Sequence, residues 1–185
     1  MCPFRTIPAK SAEPGAGGLL TYGGFDNEHC EKDIKYVPLS SRTYWQFEMK
    51  GFKIGALELE EEYQVISDTG TSWIGVPSDV FFRIAIAIGA RYDYRSGFLT
   101  IDCEKQRKGH TISIKLDGVT LKIPPIEYIL DLGLGYGKCV VAMFQMSKGG
   151  MGPAWIFGDP LIRTYCNIHD VREERIGFAR SLQKI

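Results

Sequence analysis

The chain lacks an excess of charge of either sign, and it lacks an apolar run long enough to cross a membrane. Lys and Arg number 22 and Asp and Glu number 22, so the formal net charge at pH 7 is zero. This balance gives no electrostatic basis for binding nucleic acid or an anionic membrane. Because no apolar run approaches the roughly 20 residues of a membrane helix, we expect neither nucleic acid nor a membrane among the partners.

The usual spacing of metal ligands is also missing. The chain has five cysteines, but no pair has the Cys-x-x-Cys spacing of zinc and redox sites. We interpret the polar segment 26–30 around His29 as a loop, because adjacent residues rarely converge on one ion. His110 and His169 are predicted to lie at the surface. These patterns predict no metal site.

What the chain does contain is enough apolar material for one packed domain. The 185 residues are 44% hydrophobic and 12% aromatic, which suffices for a domain with its own core. The start of the chain is rich in Ala, Pro, Ser and Gly, so we predict that residues 1–16 are a linker or a truncated edge and that residues 17–185 form one domain. Short apolar runs between turns, such as residues 44–49, predict a mainly β fold with minor helix.

One hairpin is predicted from local pattern alone. Asp117-Gly118 is a strong two-residue turn signal, in which both residues would need φ > 0. Around this turn, the strands of residues 111–123 place apolar residues opposite one another on one face. The predicted pairs are Leu116 with Val119, Ile114 with Leu121 and Ile112 with Ile123.

Two helices are predicted as well. Ser78 can cap a helix over residues 78–88, which carries an apolar stripe and ends at Gly89. Residues 126–132 favour a shorter helix that ends at Gly133. Together with the many short strands, these elements give helix only a minor share of the fold.

The most informative pattern is an acidic residue at the end of an apolar strand. Tyr63–Ser67 reads as a buried strand, and the sequence Asp-Thr-Gly-Thr-Ser follows at residues 68–72. A charge in that place is costly unless the fold uses it. Gly70 permits a tight turn that brings backbone N–H groups to the Asp68 carboxylate, and Thr71 can donate its hydroxyl to the same group. The alternative is that Asp68 only caps a turn.

The order of these and other motifs resembles the C-terminal lobe of a pepsin-like aspartic protease. The resemblance covers residues 17 to 180, and it implies a single pepsin-like lobe with a β-barrel or sandwich-like architecture. The loop at residues 68–72 is only moderately specific by itself, whereas six landmarks in the family's order are highly specific. The other landmarks are residues 22–26, residues 36–39 with 44–47, residues 123–125 with 128–130, residues 155–159 with 162–163, and residues 176–179.

The resemblance implies an aspartic-type endopeptidase with Asp68 as a catalytic residue. In this family two aspartates share one proton, because like charges ~3 Å apart cannot both ionise, and they activate a water and protonate the leaving amine. The residue at Thr69 locks the two lobes together, and Gly70, Thr71 and Ser72 support the catalytic loop. The reaction needs no metal and no cofactor.

The resemblance also bears on the cysteines. Cys103 and Cys139 match the positions of the family's disulfide in this lobe. Cys30 and Cys166 would fall on neighbouring strands, where a second bridge is plausible. Bridges of this kind suit a secreted or lysosomal protein, although Met1 is not followed by the apolar stretch of a signal peptide. Five reduced, buried cysteines in a cytosolic protein are the alternative.

Only one of the two lobes of the family is matched. The chain has no second Asp-Thr-Gly or Asp-Ser-Gly and no flap, so the implied partner is a missing N-terminal lobe that supplies the other aspartate. We expect the isolated chain to be inactive. Tyr44 and Ile66 would contact a peptide or protein substrate. Two alternatives stay open: a non-catalytic lobe that acts as a pseudoenzyme or peptide-binding protein, and a homodimeric protease that pairs two Asp68 residues.

Overall fold

Short strands dominate the fold, as the sequence predicts. The structure is a computed structural model, and it describes the backbone of residues 2–5 together with residues 19–146 and 152–182. The strands in these residues are Cys2–Arg5 (β1), Leu19–Leu20 (β2), Lys35–Pro38 (β3), Gln46–Met49 (β4), Gly51–Ile54 (β5), Leu57–Leu59 (β6), Tyr63–Ser67 (β7), Ile74–Pro77 (β8), Arg91–Asp93 (β9), Phe98–Asp102 (β10), Ile112–Lys115 (β11), Thr120–Ile123 (β12), Ile129–Leu130 (β13), Lys138–Val141 (β14), Met143–Met146 (β15), Trp155–Phe157 (β16), Tyr165–Asp170 (β17) and Arg175–Arg180 (β18). The helices are Ser78–Ile88 (α1), Lys105–Lys108 (α2), Pro125–Tyr128 (α3) and Asp159–Thr164 (α4).

The strands form four sheets. The central sheet has the order β15-β8-β16-β7-β4, and the basal sheet has the order β2-β1-β17-β18-β3. Two smaller sheets have the orders β13-β14-β10-β9 and β12-β11-β5-β6. In the central sheet, β7 runs parallel to β16 and antiparallel to β4. This mainly β architecture with few helices is that of a single pepsin-like lobe.

Aromatic side chains fill the space between the sheets. Trp155 is fully buried, with its ring centroid 4.7 Å from that of Phe52 and 6.0 Å from that of Phe157. Phe47 of the central sheet lies 5.4 Å from Phe178 of the basal sheet. Because buried aromatic pairs of this kind contribute strongly to packing, the central sheet is held firmly against the rest of the lobe.

The predicted hairpin is confirmed in its register and wrong in its turn. Ile112 pairs with Ile123, Ile114 pairs with Leu121, and the Leu116 N–H donates to the Val119 carbonyl at 2.8 Å. Gly118 has φ of 68°, but Asp117 is not among the described non-glycine residues with positive φ. One left-handed residue is therefore sufficient here, and the side-chain alternation sets the register.

Helix α1 is confirmed with one correction at its start. Val80, Phe81, Ile84 and Ile88 are buried on one stripe, and the helix ends at a left-handed Gly89. Ser78 is the first helical residue and does not cap the helix: Pro77 is the residue that precedes it, and the Ser78 hydroxyl donates to the Met146 carbonyl at 2.9 Å. That hydrogen bond attaches the helix to strand β15.

The second predicted helix is shorter and earlier than residues 126–132. Helix α3 covers only Pro125–Tyr128, and Ile129–Leu130 then pairs with Val141 and Val140 of β14. Pairing with a neighbouring strand outweighs the helical pattern, a tertiary effect that local sequence does not contain. Likewise, the strand predicted over residues 44–49 begins only at Gln46.

Both predicted disulfides are present. Cys103–Cys139 joins residues whose Cα atoms are 4.9 Å apart, and Cys30–Cys166 joins residues whose Cα atoms are 6.1 Å apart. Within the segment predicted as a linker, residues 2–5 form β1 and pair with β17, while the rest of residues 1–16 lies outside the described residues. Among the described helices, none is long and apolar enough to cross a membrane.

Candidate functional site

Asp68 lies where the central sheet ends. It follows Ser67, the last residue of β7, and its N–H donates to the carbonyl of Phe157 on the parallel neighbour β16 at 3.0 Å. One residue earlier, the Ser67 N–H donates to the Trp45 carbonyl at 3.1 Å. Backbone hydrogen bonds to both neighbours therefore fix the point at which the chain leaves the sheet.

Both oxygens of the Asp68 carboxylate accept a hydrogen bond from the loop that follows. The Gly70 N–H donates to Oδ1 at 2.9 Å, and the Thr71 hydroxyl donates to Oδ2 at 2.5 Å. Charge-assisted bonds of this kind are short and hold a carboxylate in one orientation. The two donors are the ones that the sequence predicts, and the side chain itself is half-buried.

The segment after β16 crosses this loop in close contact. The Gly158 N–H donates to the Trp73 carbonyl at 3.2 Å, and the Asp159 N–H donates to the Thr71 carbonyl at 3.0 Å. A Cβ atom at residue 158 would lie 1.8 Å from the Thr71 carbonyl oxygen, so only glycine fits. The landmark at residues 155–159 therefore lies directly against the loop that follows Asp68.

A second aspartate shows that these carboxylate contacts alone do not define a site. Asp93 accepts the Arg95 N–H on Oδ1 at 3.0 Å and the Ser96 hydroxyl on Oδ2 at 2.8 Å, the same pattern at an ordinary turn. What distinguishes Asp68 is its position at the end of a buried strand, beneath the crossing at Gly158 and beside a cavity.

That cavity has a volume of about 590 Å³ and brings several predicted residues together. Asp68 and Thr69 line it, and so do Tyr44 and Ile66, the two residues expected to contact a substrate. Ile66 is buried and Tyr44 is 55% exposed, so the wall of the cavity is apolar while its rim is open. Ser72 is exposed in the turn before β8. The remaining lining residues are Leu39, Arg42, Thr43, Trp45, Ser67, His169, Val171 and Glu174.

The rim carries an ion pair. The Arg42 guanidinium contacts the Glu174 carboxylate through Nε at 3.1 Å and through Nη2 at 2.7 Å. This two-point contact joins the segment before β4 to the turn between β17 and β18. Because both side chains are largely exposed, the pair contributes little to stability, but it places two charges at the edge of the cavity.

His169 was predicted at the surface, and this prediction is wrong. Its ring is buried and lies 4.3 Å from the ring of Trp45, centroid to centroid, at the wall of the cavity. Burial lowers the pKa of His169 to about 4. Strand β17 continues to Asp170, and the contact of its His169 with Trp45 joins residues too far apart in the sequence to be predicted from local pattern.

The sequence also gave no signal for Asn167. Ser67, which stands directly before Asp68, donates its hydroxyl to the Asn167 Oδ1 at 2.8 Å, and both residues are buried. The hydrogen bond joins the end of the central sheet to the middle of the basal sheet. The only available hint was the hydroxyl of Ser67 at an otherwise apolar strand end.

A largely buried ion pair joins α3 to α4, the helix that follows the crossing. The Arg163 Nε donates to the Glu127 carboxylate at 2.7 Å. Burial raises the pKa of Glu127 although the guanidinium opposes this, and burial likewise raises the pKa of Asp159 at the start of α4. These groups belong to the support of the loop, since the Asp159 N–H is one of the bonds that hold Thr71.

One group of metal-binding residue types occurs in the described residues, and it does not fit a metal. It consists of Cys103, Cys139 and Asp131, and the two sulfur atoms are joined to each other in a disulfide. A disulfide sulfur is not a thiolate, which is the form that binds metals.

Comparison with known proteins gives a consistent result. The chain matches the sequence model described as eukaryotic aspartyl protease over residues 9–181. It is 46% identical over 168 residues to Aspartic protease 6 of Caenorhabditis elegans, which covers 91% of this chain and 42% of that protein. Aspartic protease 1 of the same organism is 42% identical over 173 residues, 94% of this chain and 44% of the relative. Human gastricsin is 30% identical over 183 residues, 96% of this chain and 46% of that protein. The chain therefore spans less than half the length of these relatives.

Proposed function

Because the chain belongs to the eukaryotic aspartyl protease family, we propose that it forms the second catalytic lobe of an aspartic-type endopeptidase. The observation that carries the proposal is the Asp68 carboxylate. The Gly70 N–H and the Thr71 hydroxyl donate hydrogen bonds to it. It also lines a cavity large enough for peptide side chains. A carboxylate held in one orientation beside an open cavity is suited to hold and transfer a proton.

In the proposed reaction, Asp68 acts with a second aspartate from a first lobe. The two carboxyl groups share one proton, because like charges that close cannot both ionise. The ionised carboxyl takes a proton from a water whose oxygen adds to the carbonyl carbon of the peptide. The C–N bond then breaks as a carboxyl proton passes to the leaving amine, so that water is consumed and both carboxyls return to their starting state.

The remaining roles are those that the family implies, and the position of each residue supports them. Tyr44 and Ile66 contact side chains of a peptide or protein substrate on the wall that they share with Asp68. Thr69, which is half-buried at the same wall, exchanges hydrogen bonds with its counterpart in the first lobe. Secretion or residence in a lysosome agrees with the disulfide at Cys30–Cys166 and that at Cys103–Cys139, because such bonds persist in oxidising compartments.

The test is a peptidase assay at acid pH of this chain alone and of the chain joined to the first lobe of Aspartic protease 6. We expect the chain alone to be inactive and the joined form to cleave peptides between bulky apolar residues. Asp68→Asn should lower turnover about 10²–10⁴-fold, the range that acid–base groups contribute. Asp93→Asn is the matched control, because it alters the same pattern of hydrogen bonds at a turn outside the cavity.

Each outcome separates the candidate functions. Full activity in the Asp68→Asn joined form would overturn the catalytic role of this residue. Activity of the chain alone that rises with the square of its concentration would favour a homodimer that pairs two Asp68 residues. A joined form that folds and binds peptides but does not cleave them would favour a non-catalytic peptide-binding lobe.

A further inference from the structure

A buried side-chain hydrogen bond connects the residue before Asp68 to the basal sheet. The Ser67 hydroxyl donates to the Asn167 Oδ1 at 2.8 Å, across 100 positions of sequence. Ser67 is 7% exposed and Asn167 is fully buried. A buried hydroxyl or amide is costly unless it is hydrogen-bonded, so the pair is stable only while both partners are present.

The amide of Asn167 can face Ser67 in one way only. Its Nδ2 donates to the Tyr165 carbonyl at 2.7 Å, which leaves Oδ1 directed at Ser67. Since Oδ1 can only accept, the Ser67 hydroxyl must donate. The direction of the bond, and with it the rotamer of Ser67, is therefore set from the basal sheet.

The strand that carries Asn167 is held from several sides. Strand β17 pairs with β18 along its whole length from Tyr165 to Asp170, and it pairs with β1 on its other edge. Cys166, next to Asn167, is bonded to Cys30. The hydrogen bond from Ser67 therefore ends on a strand that is paired on both edges and cross-linked by a disulfide.

Ser67, the residue that this hydrogen bond restrains, directly precedes Asp68 in the chain. Ser67 is the last residue of β7, and Asp68 immediately leaves the sheet. The backbone bonds of the two residues go to neighbours within the central sheet, at Trp45 and Phe157. The Ser67 hydroxyl adds a restraint perpendicular to that sheet, which an apolar side chain of the same size would not provide.

We propose that Ser67 is a positioning residue, which through Asn167 fixes the height of the Asp68 carboxylate above the basal sheet. This inference rests on the proposed function, because a fixed height matters when the carboxylate must meet a partner carboxyl and a water. Small displacements of reacting groups lower rates strongly, by up to about a hundredfold for 1 Å. The restraint itself, however, is a property of this chain alone and can be measured on it.

The first experiment is amide hydrogen exchange of the 185-residue chain, with Ser67→Ala as the variant. We expect the amides of Ser67, Asp68 and Gly70 to exchange about five- to tenfold faster, the effect of one lost hydrogen bond on local opening. The amide of Ile114 in the β11–β12 hairpin reports global unfolding and should not share that increase. Ser67→Thr, which keeps the hydroxyl, should restore the slow exchange.

Thr164→Val is the matched control. It removes another buried hydroxyl, which donates to the Pro160 carbonyl at 2.7 Å, at the end of α4 and directly before β17. It should leave exchange at Asp68 unchanged. If Ser67→Ala and Thr164→Val act alike, or if Ser67→Ala accelerates all slow amides equally, the hydroxyl only stabilises the fold and the inference is overturned.

The second experiment uses the joined two-lobed form. Ser67→Ala should lower kcat about tenfold with little change in KM. It should also move the alkaline limb of the pH–rate profile to lower pH, because carboxyls that lie further apart repel each other less. If the joined parent is active and Ser67→Ala changes neither kcat nor the alkaline limb of the pH–rate profile, the inference is overturned. A parent that is inactive contradicts the proposed function instead, and the exchange data then decide the positioning role alone.

Discussion

Replacing Gly158 by alanine tests whether the crossing of two segments builds the Asp68 loop. A Cβ atom there would lie 1.8 Å from the Thr71 carbonyl oxygen and 2.6 Å from that of Trp73. Ordinary van der Waals contact begins at 3.4 Å, so the Thr71 carbonyl would have to retreat by about 1.6 Å. Both obstacles are backbone atoms, which cannot turn aside as a flexible side chain can.

The loss of stability follows from the hydrogen bonds that this retreat would break. The hydrogen bonds across the crossing are Gly158 N–H to Trp73, Asp159 N–H to Thr71 and Asp68 N–H to Phe157. Each contributes about 1 kcal/mol net, and overpacking of a filled site adds about 1–3 kcal/mol. Gly158→Ala should therefore lower the free energy of unfolding by about 4–6 kcal/mol, a large share of the roughly 5–15 kcal/mol of an ordinary domain.

Urea unfolding followed by tryptophan fluorescence measures this loss, since Trp155 is fully buried in the folded chain. Gly24→Ala is the matched control, because a Cβ at residue 24 meets no atom within 4 Å. It should change the free energy of unfolding by less than about 0.5 kcal/mol. If Gly158→Ala unfolds at the same urea concentration as Gly24→Ala, the close crossing does not exist in solution and our account of the loop is wrong.

Local patterns allowed much of the fold to be predicted. The hairpin at Asp117-Gly118 and the helix that ends at Gly89 each depend on residues close together in the chain, so side-chain periodicity was sufficient to predict the register of the hairpin and the buried stripe of the helix. The donors to the Asp68 carboxylate were predictable for the same reason, because they lie two and three residues away.

Features decided by distant partners were not predictable from one sequence. Residues 129–130 pair as a strand because β14 lies beside them, which outweighs their helical pattern. His169 is buried because the Trp45 ring, more than 100 positions away in the sequence, packs against it. Ser67 has a reason to be polar only once Asn167, 100 positions away, is placed opposite it.

Two further changes test the support of the site. The chain-entropy model gives about 5 kcal/mol for the Cys30–Cys166 bridge, with its separation of 136 residues, and about 4 kcal/mol for Cys103–Cys139, with its separation of 36. Alanine at both positions of the longer bridge should therefore destabilise the chain more in urea, and the reverse order would contradict the model. The last prediction concerns Glu127, whose pKa burial raises above its ordinary value. The folded chain binds this proton more tightly than the unfolded chain, so the contribution to stability is present at low pH and is lost as pH rises through the folded pKa. Glu127→Gln cannot ionise, so its free energy of unfolding relative to the parent should increase as the pH rises from the ordinary pKa of a glutamate through the raised pKa of the folded chain. A difference that stays constant, or that falls over this range, would show that the ion pair with the neighbouring guanidinium outweighs the burial of the carboxylate.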